Sequence, residues 1–235
     1  MLTKKDKTIE KKIDLYAFKR GLSFEFDYLH NYVTLMNSSV NERVDEFESK
    51  IISSLDNSQD ESSQIDEMFF NETSKIKSYF YNSLIVMVYT VYESTLNKIC
   101  VELNSNVKSK LDHENLNDRN AAKKFLLYLN LIADIDYLKD KKSHDRITEF
   151  QKLRNQIAHQ NSTIKGKSEQ DKKKNAIALK ATFNRTENAI IVNEVTWDFY
   201  VDSISLVVEF IQVVRDYLFD IINMLEEKIF LIADE

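Results

Sequence analysis

At 235 residues with 43% hydrophobic content, the chain is long enough to bury a full core without disulfide or metal staples. Its one cysteine, Cys100, excludes an internal disulfide framework and suits a reducing compartment. The formal net charge of −6 argues against a broad nonspecific nucleic-acid footprint while leaving room for a local basic cleft.

Proline is absent and glycine occurs only at Gly21 and Gly166, so few turns are encoded and long helices are favoured. No shift in composition divides the chain, which predicts a single domain over 15–235 preceded by a flexible charged arm at 1–14. The first residues lack the apolar core of a signal peptide. No uninterrupted apolar run reaches the ~18 residues of a membrane span. The expected location is cytoplasmic. Four scattered histidines and one cysteine show no metal-ligand spacing, so neither a metal nor a cofactor is expected.

A first helix is predicted from Leu22 to Leu55, on the stripe Leu22, Phe26, Leu29, Val33, Met36, Val40, Val44, Phe47, Ile51 and Leu55. His30 lies on its polar side. The polar segment 57–64 breaks the pattern. A second helix, from Ile65 to Val107, contains the run Leu84–Tyr92, apolar or aromatic nearly all round, as a helix with neighbours on several sides requires. Cys100 lies beyond that run and reads as a small buried hydrophobe. Glu93 directly follows it, and an ionisable group there is costly unless paired. It has two readings: an ion pair between helices with no catalytic duty, or a carboxylate that holds Arg154.

The polar segment 103–120 contains His113, which reads as a solvated loop residue. A short helix is predicted at Ala121–Asp134, carried by Phe125, Leu126, Leu129 and Ile132. Ser143 is the expected N-cap of the next helix, with His144 beside it in a structural role. Ile147, Phe150, Leu153 and Ile157 form the apolar sector of that helix. Round its polar side come Arg154, Gln151, Ala158, Asn155, Thr148 and His159, with Asn155 and His159 direct neighbours at i and i+4.

The segment 161–175 reads as a loop carrying Lys165, Lys167, Lys172, Lys173 and Lys174. These lysines are either a solvated run or a track for a phosphate backbone close to the motif. No aromatic residue is interleaved with them, so base stacking is not encoded there. Ala176–Phe183 and Ala189–Asn193 are rich in apolar and β-branched residues around a turn-like segment, which predicts a β-hairpin over about 176–193. A last helix is expected from Trp197 to Ile229, with Arg215 interrupting its apolar seam at an edge or as a paired residue.

Arg154-Asn155-x-x-x-His159, set in a chain of long helices, resembles the signature of the HEPN superfamily (higher eukaryotes and prokaryotes nucleotide-binding domains), specifically its prokaryotic RNase-toxin type. Arg154, Asn155 and His159 match that signature position by position. In architecture the resemblance extends over roughly residues 20–230; in sequence the motif carries it. It implies an all-α bundle of four to five long helices, here with a small β-hairpin before the last one. It also implies a metal-independent endoribonuclease that works as a homodimer, two motifs facing one cleft. Arg154, Asn155 and His159 would be catalytic, Glu93 supporting, and the five lysines RNA-binding. A role as toxin or antiviral (abortive infection) effector is implied as well, with a possible antitoxin or defence-system protein as partner. Asn161 stands where one branch of the family carries a nucleotidylated tyrosine, so the resemblance does not extend to that regulation.

The residue types suit the chemistry. Metal-free RNA cleavage needs a base for the 2′-hydroxyl, an acid for the leaving 5′-oxygen, and positive charge on the phosphorane. Histidine serves either proton role and arginine forks onto phosphate oxygens. One motif supplies one imidazole, so a two-fold dimer would complete the pair. The products would be a 2′,3′-cyclic phosphate and a 5′-hydroxyl. Two readings of other classes stay open: a noncatalytic HEPN-like module that binds a nucleotide or a protein, and an unrelated helical scaffold.

Overall fold

A computed structural model describes residues 15–55, 62–107, 111–185 and 187–233. Among them are six α-helices and one small antiparallel sheet: α1 Leu15–Leu55, α2 Ser62–Asn106, α3 Ala121–Ala133, α4 Lys141–Gln160, α5 Glu169–Phe183, β1 Ile190–Val192, β2 Phe199–Val201 and α6 Ile204–Ala233. The expected all-α class holds. The arm at 1–14 lies outside the described residues.

On α1, Leu22, Phe26, Leu29, Val33 and Val44 are buried, as their three–four spacing requires, and buried Leu15 carries the stripe back beyond the expected start at Leu22. Helix α2 begins inside the polar segment 57–64, at Ser62. By length and composition alone, Thr73–Ser105 would cross a membrane, yet half of that apolar window is buried inside the protein. Helix α3 starts where Asn120 accepts from the Lys123 backbone N–H and stops at left-handed Asp134. The cap of α4 is Asp140 rather than Ser143. Its Oδ1 accepts from the Ser143 backbone N–H at 3.2 Å, one of the four donors a helix start leaves unpaired. Hydrogen bonds from Ser143, first from its side chain and then from its backbone, hold the Asp140 carboxyl below the usual range.

The predicted hairpin is corrected. Ala176–Phe183 is not a strand but the second half of α5. Its buried residues, Ala176, Leu179 and Phe183, recur at three and four positions while Ile177 and Ala178 face outward. Ser168 caps this helix, accepting from the Asp171 N–H, so Lys172, Lys173 and Lys174 sit on its opening turns rather than in a loop. Strand β1 falls within the predicted second strand, and its partner is β2, in register Ile190–Val201 and Val192–Phe199. The turn between them is held by Asn193, whose Oδ1 accepts from the N–H groups of Val195 and Thr196. Trp197 adopts a left-handed φ of 62° and Phe199–Val201 pair as β2, so α6 begins at Ile204 instead of Trp197.

The chain divides into two units, the first drawing on Met1–Asp27, Val88–Thr148 and Ile211–Glu235, the second on Tyr28–Met87 and Glu149–Phe210. In the first, buried Tyr92 and Tyr217 meet at a centroid distance of 6.3 Å, and Leu96, Leu129, Leu218 and Ile222 of the same unit are buried as well. Arg215 is a paired residue, donating to Asp27 at 3.2 Å and to Ser23. Buried Cys100 directs its thiol at the Phe125 carbonyl, and burial pushes it up to about 12. In the second, Phe150 stacks on Phe210 at 4.1 Å with 11° between planes and meets Phe183 at 5.5 Å. This cluster fixes one face of α4 and leaves the other for polar groups; truncating a ring so buried costs about 3–5 kcal/mol.

Candidate functional site

The motif occupies the last turns of α4. Phe150 and Leu153 are buried and Ile157 is half-buried, so the apolar sector faces inward as its spacing predicts. Arg154 and Asn155 are half-buried at its margin, while Ala158 and His159 are exposed. Arg154 Nη1 donates to Asn155 Oδ1 at 3.0 Å. That bond restrains a long side chain at its guanidinium. His159, exposed in the final turn, is accessible to a macromolecular substrate.

Past His159 the helix ends in an unusual way. Asn161 and Ser162 are both left-handed, at φ 50° and 57°. Such a backbone costs a non-glycine residue on the order of 1–3 kcal/mol unless its surroundings hold it. Here they do. Ser162 N–H donates to Gln156 O at 3.2 Å, its carbonyl accepts from Phe199 N–H at 2.8 Å, and its Oγ accepts from Asn82 Nδ2 at 3.0 Å. Ile164 N–H then donates to Trp197 O at 2.8 Å, and Thr163 Oγ1 to Asp198 Oδ1 at 2.9 Å. The chain leaving the motif is therefore tied to the hairpin and to α2 before any lysine is reached.

The lysines divide. Lys165, Lys167, Lys173 and Lys174 are exposed. Lys172 is half-buried, donating to Glu169 Oε1 at 2.7 Å and lying 5.9 Å from the centroid of the Trp197 ring. Trp197 Nε1 donates to the other oxygen of Glu169 at 2.6 Å. The bond from Lys172, and after it that from Trp197, holds the Glu169 carboxyl below its usual range. Gly166 lets the segment between Lys165 and Lys167 fold onto this helix start, since a Cβ there would meet the Lys172 backbone nitrogen at 2.7 Å. Asn175 Nδ2 closes the arrangement on Lys165 O at 2.8 Å.

Glu93 is half-buried on α2 and belongs to the first unit; Arg154, Asn155, His159 and the lysines belong to the second. His113 is not the solvated residue its polar surroundings suggested. It is 5% exposed, with Nε2 at 3.1 Å from Asn97 Oδ1, Nδ1 at 2.8 Å from Asp112, and the Phe125 and Tyr128 rings around it. His144 is structural as expected: Nδ1 lies 3.1 Å from Tyr217 Oη, and burial lowers its pKa against a smaller opposing pull from Asp145. His30 is exposed. Among the described residues no group of three His, Cys, Asp or Glu side chains could hold a metal ion.

Sequence reasoning missed Ser78, Asn82 and Ser162, which converge at the helix exit. Only Asn82 left a trace, an amide at helical spacing with buried Ser78 and Ile85 on α2. No family model, no curated protein and no solved structure matches this chain.

Proposed function

We propose that the chain is a metal-independent endoribonuclease of HEPN type, acting in the cytoplasm as a toxin or antiviral effector. The observation that carries the reading is the join of Arg154 to Asn155 one turn before an exposed His159 on the same helix. Arg154 would meet the phosphate oxygens with its forked cation, oriented by Asn155. His159 of one protomer would take the 2′-hydroxyl proton and His159 of the other would protonate the departing 5′-oxygen, leaving 2′,3′-cyclic phosphate and 5′-hydroxyl ends. Exposed Ala158 beside the motif permits close approach of a second copy. Lys165, Lys167, Lys173 and Lys174 would take the flanking phosphates, with Lys172 held back by Glu169. Glu93 is kept as a supporting residue, and a protein antitoxin or defence-system component as a partner.

The test is incubation of whole-cell RNA with the purified protein, with and without chelator, and mapping of both new ends. Cleavage that survives chelation, yields cyclic phosphate and disappears in His159→Ala supports the reading. A folded protein that cuts no RNA in either condition overturns it.

A further inference from the structure

Beside the exit of the motif helix, the second unit holds a cavity of about 170 Å³, walled by Ser78, Tyr79 and Asn82 from α2, Ile157 and Ser162 from the end of α4, and Asp198 ahead of β2. Asn82 is 8% exposed. Its Nδ2 donates to Ser162 Oγ at 3.0 Å and to Ser78 Oγ at 3.3 Å, and Ser78 Oγ also accepts from the Val201 N–H. Among the described residues its Oδ1 has no hydrogen-bond partner. Native proteins leave few buried amide oxygens unmet, because the group has lost water and gained nothing.

The wall has a definite chemical character. Asn82 Oδ1 is an acceptor, and the Asp198 carboxylate, which accepts from Thr163, is another. Tyr79, also in the lining, is 69% exposed, so its ring is available to a ligand. The complement is a flat ring that stacks on Tyr79 and points N–H donors inward. Adenine, cytosine and guanine each carry an exocyclic amino group. Uracil has a single ring N–H flanked by two carbonyls, which would face the two acceptors and be repelled.

We propose that this cavity holds one amino-bearing nucleobase of an unpaired RNA nucleotide. Ile157 and His159 stand two positions apart, roughly 200° round α4, so the pocket lies across the helix from the imidazole. The captured nucleotide is therefore not the one cleaved; it sets which stretch of single strand is presented. Only the source of the base rests on the ribonuclease reading.

Titration of the full chain with AMP, CMP, GMP and UMP by calorimetry tests the pocket without any cleavage. The three amino-bearing nucleotides are expected to bind roughly tenfold or more tighter than UMP. Tyr79→Ala should weaken them roughly tenfold with melting temperature unchanged, since that side chain is largely in solvent. Asn82→Ala should erase the preference over UMP; because Asn82 also ties α2 to Ser162, the Tyr79 variant keeps the test valid if that protein is unstable. Equal binding of all four, binding untouched by Tyr79→Ala, or no binding at millimolar concentration each overturns the proposal, the last leaving a buried water as the partner of Asn82. The two readings fail separately. His159-dependent cleavage without base binding removes the pocket alone, and base binding by a chain that cuts no RNA removes the nuclease alone.

Discussion

The two ends of α4 carry the same side chain in opposite settings. Near the start, in the first unit, His144 is half-buried against Tyr217 and Tyr137, with ring centroids 5.9 and 5.8 Å away. Tyr217 lines a cavity of about 420 Å³ whose wall includes Asp140, Asp220 and Glu227. At the finish, in the second unit, His159 is exposed, with Arg154 and Asn155 one turn behind and Lys165 and Lys167 ahead in the chain. Size and a histidine do not make a phosphate site. In the larger cavity three carboxylates outnumber Lys139, a setting that disfavours a phosphodiester, while the exposed end of the helix pairs His159 with the half-buried Arg154 cation on the same helix.

Substitution at the two ends breaks or sharpens that contrast. The largest effect is expected from Arg154→Ala and His159→Ala, each lowering RNA cleavage by more than ~10³-fold with circular dichroism and sizing unchanged. His144→Ala should lower the melting temperature and spare cleavage per folded molecule. The reverse pattern would move the active centre to the other end of the helix. Next comes Asn155→Ala, expected to cost roughly tenfold in cleavage through loss of the bond that steadies Arg154. Glu93→Gln separates its two roles: lower cleavage at unchanged RNA affinity if it supports the motif, or a lower melting temperature at unchanged specific activity if it serves packing alone.

A smaller but more diagnostic effect is the dose response of mixed dimers. At fixed wild-type amount, adding His159→Ala chains with proven subunit exchange should lower activity in proportion to the wild-type fraction. One imidazole cannot be base and acid in the same step. Undiminished activity per wild-type chain would sink the shared site. The smallest effect is a pH slope. Burial depresses the His144 pKa in the folded protein, so its contribution is complete above the unfolded value of about 6.5 and is lost as pH falls below it. The melting temperature should decline from pH 7 towards pH 5, and His144→Asn should flatten that decline.

Helical periodicity makes α1 to α4 readable because their buried residues repeat along many turns, and the motif face is readable for the same reason. The stretch 176–183 is not, since its apolar and β-branched content imitates a strand and masks both the three–four spacing and the Ser168-x-x-Asp171 cap. His113 misleads because burial of a loop histidine depends on Asn97, Phe125 and Tyr128, which its neighbours in sequence do not announce. The cavity at Asn82 is out of reach on similar grounds: Ser78, Asn82, Ser162 and Asp198 meet only once α2, α4 and the hairpin are assembled.

Trp197 is the chain's one tryptophan. At 8% exposure it bonds Glu169, underlies Lys172 and accepts from Ile164. Its intrinsic fluorescence is thus an optical report on the segment that leaves the motif, free of any competing indole. Emission from such an enclosed ring should be blue-shifted, and an RNA strand drawing Lys172 off the ring would change its intensity. Binding could then be followed in real time on the unlabelled protein, with His159→Ala, expected to bind RNA without cutting it, as the sample that isolates capture from turnover.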